Sequence, residues 1–232
     1  MKKVFISTPA YDGKVHVQYA TSLVDTVTLL LQSGYMPEIN ILSGGSLLIA
    51  DRNKILEAFW KSDCEYLLCI DSDLGWDARA VHSLLVMDKE FSGGVYPSRM
   101  QDGFVFRPCV NEDGSLVLCP ITKLIKVEYI PAGFMLLKRS ALQKMRDKFP
   151  ELKFAPKDPR NTSGSGYCLF NTEVYEGEFW GEDYVFCRRA REAGVDIWVN
   201  PMFPFDHAGK KGALISMLSE KPPQEQDNGN TK

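Results

Sequence analysis

The segment Tyr-Leu-Leu-Cys-Ile-Asp-Ser-Asp at residues 66–73 decides the fold prediction. An apolar run of this kind predicts a central strand that is covered on both faces. In open α/β sheets, ligands bind beyond the carboxyl ends of the strands. Asp71 and Asp73 leave the strand at such an end, with Ser72 between them, so we expect both carboxylates to face one point.

Two neighbouring carboxylates repel each other and need a cationic partner. Mg²⁺ and Mn²⁺ prefer oxygen ligands, and Mg²⁺ is usually held by one or two carboxylates together with substrate phosphates. The pair therefore predicts a divalent-cation site and a phosphate-bearing substrate. The alternative is a surface turn in which an aspartate caps the following helix.

Strand and helix patterns alternate on both sides of this segment. Apolar positions three and four residues apart predict a helix over residues 17–33, which Gly34 ends. Strands alternating with helices imply an α/β fold with a mixed, mainly parallel central sheet flanked by helices. The remaining elements predicted in this half are strands at 4–7, 38–42 and 91–96 and helices at 46–61 and 77–88.

The second half is less regular. Short strands at 104–110, 116–120 and 126–130 predict a small β insertion, and a helix at 182–193 leads into a strand at 195–199. Between them lie a helix at 140–149 and a polar stretch at 150–170 that is long enough to be a functional loop. We predict one catalytic domain over residues 1–218 and a flexible polar tail over 219–232.

Composition excludes several classes of protein. The chain has 232 residues, a net charge of −3 and a pI near 5.7, which disfavours polymeric nucleic acid as a partner. Its apolar runs are too short to span a bilayer. The six cysteines form no CxxC pair, which favours a reducing, cytoplasmic location.

Two further motifs carry candidate chemistry. Trp180-Gly181-Glu182-Asp183 opens a predicted helix, where carboxylates either complement the helix dipole or act as a general base beside an aromatic residue. His207 follows a strand-like segment and precedes Lys210 and Lys211, which suits either a structural histidine or a metal ligand beside phosphate-neutralising charges.

Taken together and in this order, these segments resemble the GT-A-fold, nucleotide-sugar-dependent glycosyltransferases, in particular family-2-like enzymes. Small stand-alone members from large algal viruses look especially similar. The resemblance covers about residues 3–212 and rests on an ordered set of short motifs: 7–11, 51–53, 71–73, 132–140, 180–183 and His207.

The resemblance implies a Rossmann-like GT-A fold and a set of residue roles. Mn²⁺ or Mg²⁺ would be held by Asp71, Asp73 and His207 and would bridge a nucleotide diphosphate. Asp183, with Glu182 beside it, occupies the position of the general base in inverting members, whereas retaining members use this carboxylate to bind donor or acceptor. The donor would be held by Thr8, Pro9, Ala10, Tyr11, Arg52, Ser72, Lys210 and Lys211, and the sugar and acceptor pocket would include Gly133, Phe134 and Trp180.

One departure from the family pattern concerns the nucleobase. Many family-2-like enzymes carry an acidic pair after the second strand that reads uracil, but residues 41–46 of this chain contain no carboxylate. A UDP-sugar donor with a glycan or glycoprotein acceptor remains the first expectation. The alternatives are a sugar-1-phosphate nucleotidylyltransferase, whose Gly- and Arg-rich loop is missing after the first strand, and a metal-dependent carbohydrate-binding module.

Overall fold

The computed structural model describes residues 1–99, 102–155, 157 and 164–219. Their fifteen strands are β1 (Lys2–Ala10), β2 (Tyr35–Ser43), β3 (Tyr66–Ile70), β4 (Leu74–Trp76), β5 (Phe91–Gly93), β6 (Arg107–Pro108), β7 (Ile125–Tyr129), β8 (Phe134–Lys138), β9 (Lys153–Phe154), β10 (Gly166–Tyr167), β11 (Glu173–Tyr175), β12 (Glu178–Trp180), β13 (Ile197–Val199), β14 (Phe205–His207) and β15 (Lys210–Gly212). Their helices are α1 (Val17–Gln32), α2 (Leu48–Lys61), α3 (Ala78–Met87), α4 (Arg139–Lys148), α5 (Glu182–Glu192) and α6 (Leu214–Ser219), with a 3-10 turn at Pro150–Leu152.

Eight strands form the central sheet, in the order β2-β1-β3-β8-β5-β13-β7-β6. The first three are parallel to one another, and β5 pairs parallel with β13. β7 and β8 run against their neighbours. Most strands thus share one direction, which confirms the mixed, mainly parallel α/β sheet, and an antiparallel strand lies at its centre beside β3.

The alternation of side chains along β1 and β3 divides the core into two layers. Phe5 and Leu67 face the layer packed by α2, α4 and α5. Ile6 and Leu68 face the layer packed by α1 and α3. β3 is buried at every position, as expected of a strand that is covered on both faces.

Helix boundaries agree with the sequence patterns to within about two residues, since their end signals are local. Asp77 caps α3 by accepting a hydrogen bond from the backbone N–H of Arg79, and Gly34 follows α1 with a φ of +82°. Among the described residues, no helix is both long and apolar enough to cross a bilayer.

Strands after residue 90 differ more from prediction. The strand expected at 91–96 ends at Gly93. The next residue, Gly94, lies against Phe205, where a Cβ would come 2.2 Å from the Cζ atom of the ring. The strand expected at 104–110 shrinks to β6, and the one at 116–120 forms only isolated bridges. Of the segments expected to be a functional loop and a polar tail, residues 156, 158–163 and 220–232 lie outside the described residues.

Candidate active site

The two aspartates of the DSD segment lie at the carboxyl end of β3. The chain turns immediately after the strand, with the backbone N–H of Asp71 donating to the carbonyl of Gly133 at 3.0 Å. It then enters β4, which pairs antiparallel with β14 so that Leu74 lies opposite His207. This pairing brings the Nε2 atom of His207 to 3.8 Å from the Oδ2 atom of Asp73. The fold thus joins two of the three predicted metal ligands across 134 residues of sequence.

Hydrogen bonds fix the tautomer of His207. Its Nδ1 atom lies 2.8 Å from the carbonyl oxygen of Pro97, which can only accept, so Nδ1 carries the proton. Nε2 is then left unprotonated, with a lone pair that can accept a hydrogen bond or bind a metal, 3.8 Å from the Oδ2 atom of Asp73. A histidine whose far nitrogen is held by a backbone carbonyl is the usual arrangement of a metal ligand.

A guanidinium group occupies the space between these two ligands. The Nε atom of Arg99 donates to Nε2 of His207 at 2.8 Å, and its Nη2 atom pairs with the Asp73 carboxylate. Because a cation already sits between the carboxylate and the imidazole, the donor set suits Mn²⁺ or Mg²⁺ in charge and in chemistry.

Arg52 links the DSD segment to the WGED segment. Its Nη2 atom lies 3.0 Å from the Oδ1 atom of Asp71, and its Nε atom lies 3.5 Å from the Oε1 atom of Glu182. The side chain is 5 % exposed. Burial would lower the pKa of Arg52, but the two carboxylates outweigh it and the net shift is upward. The guanidinium therefore stays charged and holds the two acidic segments together.

Replacing Arg52 with glutamine should destabilise the protein. Asp71 and Glu182 would be left facing each other without a cation, so we expect the free energy of unfolding to fall by about 3 kcal/mol. Urea denaturation followed by circular dichroism measures this. As a control, Arg79→Gln removes an exposed ion pair with Asp77 and should cost less than about 1 kcal/mol. Equal losses for the two variants would contradict the linking role of Arg52.

Asp183 lies in the first turn of α5 beside Glu182. Burial, reinforced by the negative charge of Glu182, raises the pKa of Asp183 to about 6. Its Oδ1 atom accepts a hydrogen bond from the backbone N–H of Tyr184 at 2.9 Å. A carboxylate with a pKa near neutrality is suited to accept a proton during a reaction.

An aromatic cluster lies beside this carboxylate. Trp180, predicted from the sequence, packs against Tyr175 with a centroid distance of 5.0 Å and against Tyr129 at 6.2 Å. Tyr129 in turn lies 4.1 Å from Tyr184. The three tyrosines were missed because they come from β7, β11 and α5, and no sequence spacing connects them.

The turn before β8 lies against the DSD segment. The backbone N–H of Gly133 donates to the hydroxyl of Tyr96 at 3.1 Å, and a Cβ at Gly133 would come 2.6 Å from the Oδ2 atom of Asp71. Any residue with a Cβ atom at position 133 would collide with Asp71, so this position requires glycine. The neighbouring Phe134, also predicted to line the pocket, has its side chain in the core against Phe205.

A cavity of about 350 Å³ opens from the DSD segment. Of the residues predicted to bind the nucleotide, Pro9, Tyr11 and Ser72 line it, and Tyr11 is 75 % exposed. Thr8 and Ala10 are buried, and the Thr8 hydroxyl shares a hydrogen bond with that of Tyr19 at 2.6 Å. The residue of β1 that lines the cavity is therefore Pro9, and Tyr11 follows the end of the strand.

Asp51 lines this cavity, although it was not among the site residues predicted from the sequence. It is buried in the first turn of α2, and its carboxylate lies directly over Gly45, where a Cβ would overlap Oδ2 at 1.6 Å. Its Oδ1 atom pairs with Lys54 at 3.1 Å. Residues 41–46 contain no carboxylate, but the helix that follows supplies one to the same place. Three consecutive polar residues, 51–53, in a helix were the available sequence signal.

The two lysines after His207 lie on β15. The Nζ atom of Lys211 is 3.5 Å from the Oδ2 atom of Asp206, and the side chain lines a separate cavity beside α1. Lys210 is exposed. Both therefore lie on the hairpin that carries His207, and Lys211 faces away from the DSD cavity.

A second group of potential metal ligands lies at the opposite end of the sheet. Side-chain atoms of Glu38, Asp63 and Cys64 all fall within 4.8 Å of one another. Lys3 already pairs with Asp63 at 2.5 Å, and Glu38 and Asp63 are exposed. None of these three residues lines the cavity at the DSD segment.

Comparison with known proteins identifies the fold. No protein-family model matches the chain, and no curated protein matches its sequence. Among solved structures, A197 from STIV is similar with a TM-score of 0.50 and 16 % identity, over 89 % of this chain and 85 % of that one. A Drosophila beta-1,4-galactosyltransferase 7 mutant, solved with manganese, UDP-Gal and xylobiose, gives a TM-score of 0.45 and 16 % identity over 99 % and 78 % of the two chains. Inositol-1-phosphate CTP transferase from T. maritima gives 0.47 and 9 % identity over 89 % of each chain.

Proposed function

We propose that this chain, whose fold is GT-A-like, is a metal-dependent glycosyltransferase that moves a sugar from a nucleotide-diphosphate sugar to a hydroxyl group of a glycan or glycoprotein. The observation that carries the proposal is that Asp73 and His207 meet at the carboxyl end of β3, where both contact the guanidinium of Arg99. Neither residue is near the other in sequence, and the tautomer of His207 is the one that a metal requires.

The cation site lies at the mouth of the cavity in which the donor would bind. Asp71, Asp73 and His207 would hold Mn²⁺ or Mg²⁺, which stabilises the negative charge that develops on a leaving diphosphate. Tyr11 offers an exposed ring at the rim on which a base can stack. Asp51 offers a buried carboxylate that accepts hydrogen bonds from base N–H groups. A UDP-sugar is the donor that we expect first.

The chemistry at the acceptor is assigned to Asp183. Its carboxylate takes the proton of the acceptor hydroxyl, the hydroxyl oxygen forms a bond to the anomeric carbon, and the bond from that carbon to the diphosphate oxygen breaks. This in-line displacement is the inverting course. A pKa of about 6 leaves Asp183 mostly deprotonated at neutral pH while keeping it basic enough to accept a proton. The cluster of Trp180 and three tyrosines presents flat apolar rings on which an acceptor sugar can pack.

Glu182 has a different role in this scheme. Its ion pair with Arg52 ties the first turn of α5 to Asp71, so the proposed base and the proposed cation site share one rigid connection. Arg52 thus positions both acidic segments from the core side, and we assign it no direct contact with the donor. Lys210 lies on the hairpin after His207, where a nucleotide diphosphate would bring negative charge.

A thermal-shift screen of nucleotide sugars tests the proposal and fixes the donor. We expect one nucleotide-diphosphate sugar to raise the melting temperature in the presence of Mn²⁺ and to lose that effect in EDTA, because a ligand that binds only the folded state stabilises it. A shift with none of the nucleotide sugars, or the same shift in EDTA, would contradict the proposal. Stabilisation by a nucleoside triphosphate with a sugar 1-phosphate, but by no nucleotide sugar, would instead favour a nucleotidylyltransferase.

A further inference from the structure

The guanidinium of Arg99 contacts both Asp73 and His207, where the proposed cation would bind. Its guanidinium donates from Nε to the Nε2 atom of His207 at 2.8 Å and pairs through Nη2 with the carboxylate of Asp73. Its side chain is 54 % exposed, whereas those of Asp73 and His207 are each 11 % exposed. One half-exposed guanidinium therefore covers two largely buried side chains that are the proposed metal ligands.

The imidazole of His207 can serve only one cation at a time. Because its Nδ1–H is committed to the carbonyl of Pro97, Nε2 has a single lone pair, and Arg99 now uses it. A metal ion bound through that lone pair must displace the N–H of Arg99. The same conflict holds for the charge of Asp73, since a guanidinium and a divalent ion next to one carboxylate repel each other.

Arg99 also separates two cavities. One, of about 350 Å³, contains Tyr11, Asp51 and the DSD segment. The other, of about 380 Å³, is lined by Tyr96, Pro131 and His207 on the opposite side. Among the residues that the structure describes, Arg99 is the one that lines both. Movement of its side chain away from Asp73 and His207 would therefore join the two spaces.

We propose that Arg99 is a built-in competitor for the metal: its guanidinium neutralises Asp73 and donates a hydrogen bond to His207, and it is displaced when a divalent cation binds. This inference rests on the proposed function, since it concerns the same cation site. Displacement opens the path between the two cavities only once the metal is present. Metal binding is thereby coupled to the opening between the two cavities. Displacing Arg99 costs free energy, so the metal binds more weakly than it would to a site without Arg99.

Metal binding without nucleotide tests the competition directly. Calorimetric titration with Mn²⁺ alone should show Arg99→Gln binding the ion about tenfold or more tightly than the unmodified protein, because the competing guanidinium is gone. The metal-free Arg99→Gln protein should also melt at a lower temperature, and Mn²⁺ should stabilise it more than it stabilises the unmodified protein. Arg107→Gln is the matched control, since Arg107 is an exposed arginine that pairs with Glu128 at 3.3 Å, and it should leave Mn²⁺ affinity unchanged.

The outcomes separate this inference from the proposed function. Suppose that Arg99→Gln binds Mn²⁺ no more tightly than the unmodified protein, and that the unmodified protein binds Mn²⁺ together with UDP. The competition is then refuted and the transferase proposal stands. If neither protein binds Mn²⁺ with or without UDP, both are refuted. Arg99→Lys provides a second variant that keeps the charge. A single ammonium group is less suited than a guanidinium to hold both Asp73 and His207, so the Mn²⁺ affinity of this variant should fall between those of the unmodified protein and Arg99→Gln.

Discussion

Replacing Asp73 with asparagine should remove Mn²⁺-dependent binding of UDP, with a rise in Kd of about 100-fold or more. Asparagine keeps the shape of the side chain but loses the charge that faces Nε2 of His207 at 3.8 Å. Changes even in groups that only support metal ligands cost about 10–100-fold in affinity, so loss of a charged ligand should cost at least as much. Isothermal titration calorimetry with UDP and Mn²⁺ measures the change.

Asp206→Asn is the matched control for this prediction. Asp206 lies next to His207 on β14, but it pairs with Lys211 and faces the cavity beside α1. Its substitution should leave Mn²⁺-dependent UDP binding within about twofold of the unmodified protein. Circular dichroism should show both variants folded, since Asp73 contacts a half-exposed arginine rather than the core. Unchanged binding in Asp73→Asn would remove Asp73 from the metal site.

The second large effect concerns Asp183. Asp183→Asn should lower kcat by about 10²–10⁴-fold, the usual contribution of a general base, while leaving the Kd for UDP and Mn²⁺ nearly unchanged. Asparagine cannot take the acceptor proton, but it can still accept the backbone hydrogen bond from Tyr184. Steady-state transfer assays combined with calorimetry separate the two quantities. Turnover equal to that of the unmodified protein would rule out Asp183 as the general base.

The pH profile provides an independent readout of the same residue. Because burial and Glu182 raise the pKa of Asp183 to about 6, the base is protonated below that pH and free above it. The value of kcat/KM should therefore rise with pH through about 6 and then level off. In Asp183→Asn this step should disappear from the residual rate. A profile that is flat between pH 5 and 7 in the unmodified protein would contradict the assignment.

The first half of the fold could be predicted from sequence because its determinants are local. β3 is a run of apolar residues buried at every position, and the polar residues that follow it had to lie at an edge of the sheet. Gly34 and Asp77 mark the ends of helices by mechanisms that act within a few residues. The DSD segment was therefore placed correctly before any tertiary contact was known.

The second half depends on contacts between distant segments, which sequence patterns do not reveal. Alternating strands and helices predicted parallel neighbours, yet β8 enters antiparallel beside β3. In the first half, β4 depends on such a contact too, since it has only three residues and pairs with β14. This pairing is what brings His207 to Asp73, so the position of the histidine could be inferred only from resemblance.

The residues missing from the sequence-based site are those whose partners are far away. Arg99 looks like an ordinary loop arginine until the fold places Asp73 and His207 on either side of it. Asp51 resembles a helix N-terminal acid, and only the approach of Gly45 shows that it faces a cavity. Arg52, by contrast, was among the residues predicted to hold the donor, and its guanidinium is buried between Asp71 and Glu182.

Calorimetric titration of the unmodified protein with UDP, once with Mn²⁺ and once with EDTA, tests the central claim most directly. The proposed cation site of Asp71, Asp73 and His207 would adjoin the cavity proposed for the nucleotide, which Asp71 and Asp73 line, so binding of the diphosphate should depend on the metal. We predict saturable binding of UDP, or of GDP if the base differs, with Mn²⁺ and no measurable heat of binding in EDTA. Equal affinity under both conditions, or no binding of any nucleoside diphosphate with Mn²⁺, would contradict the assignment of this site to a metal-dependent glycosyltransferase.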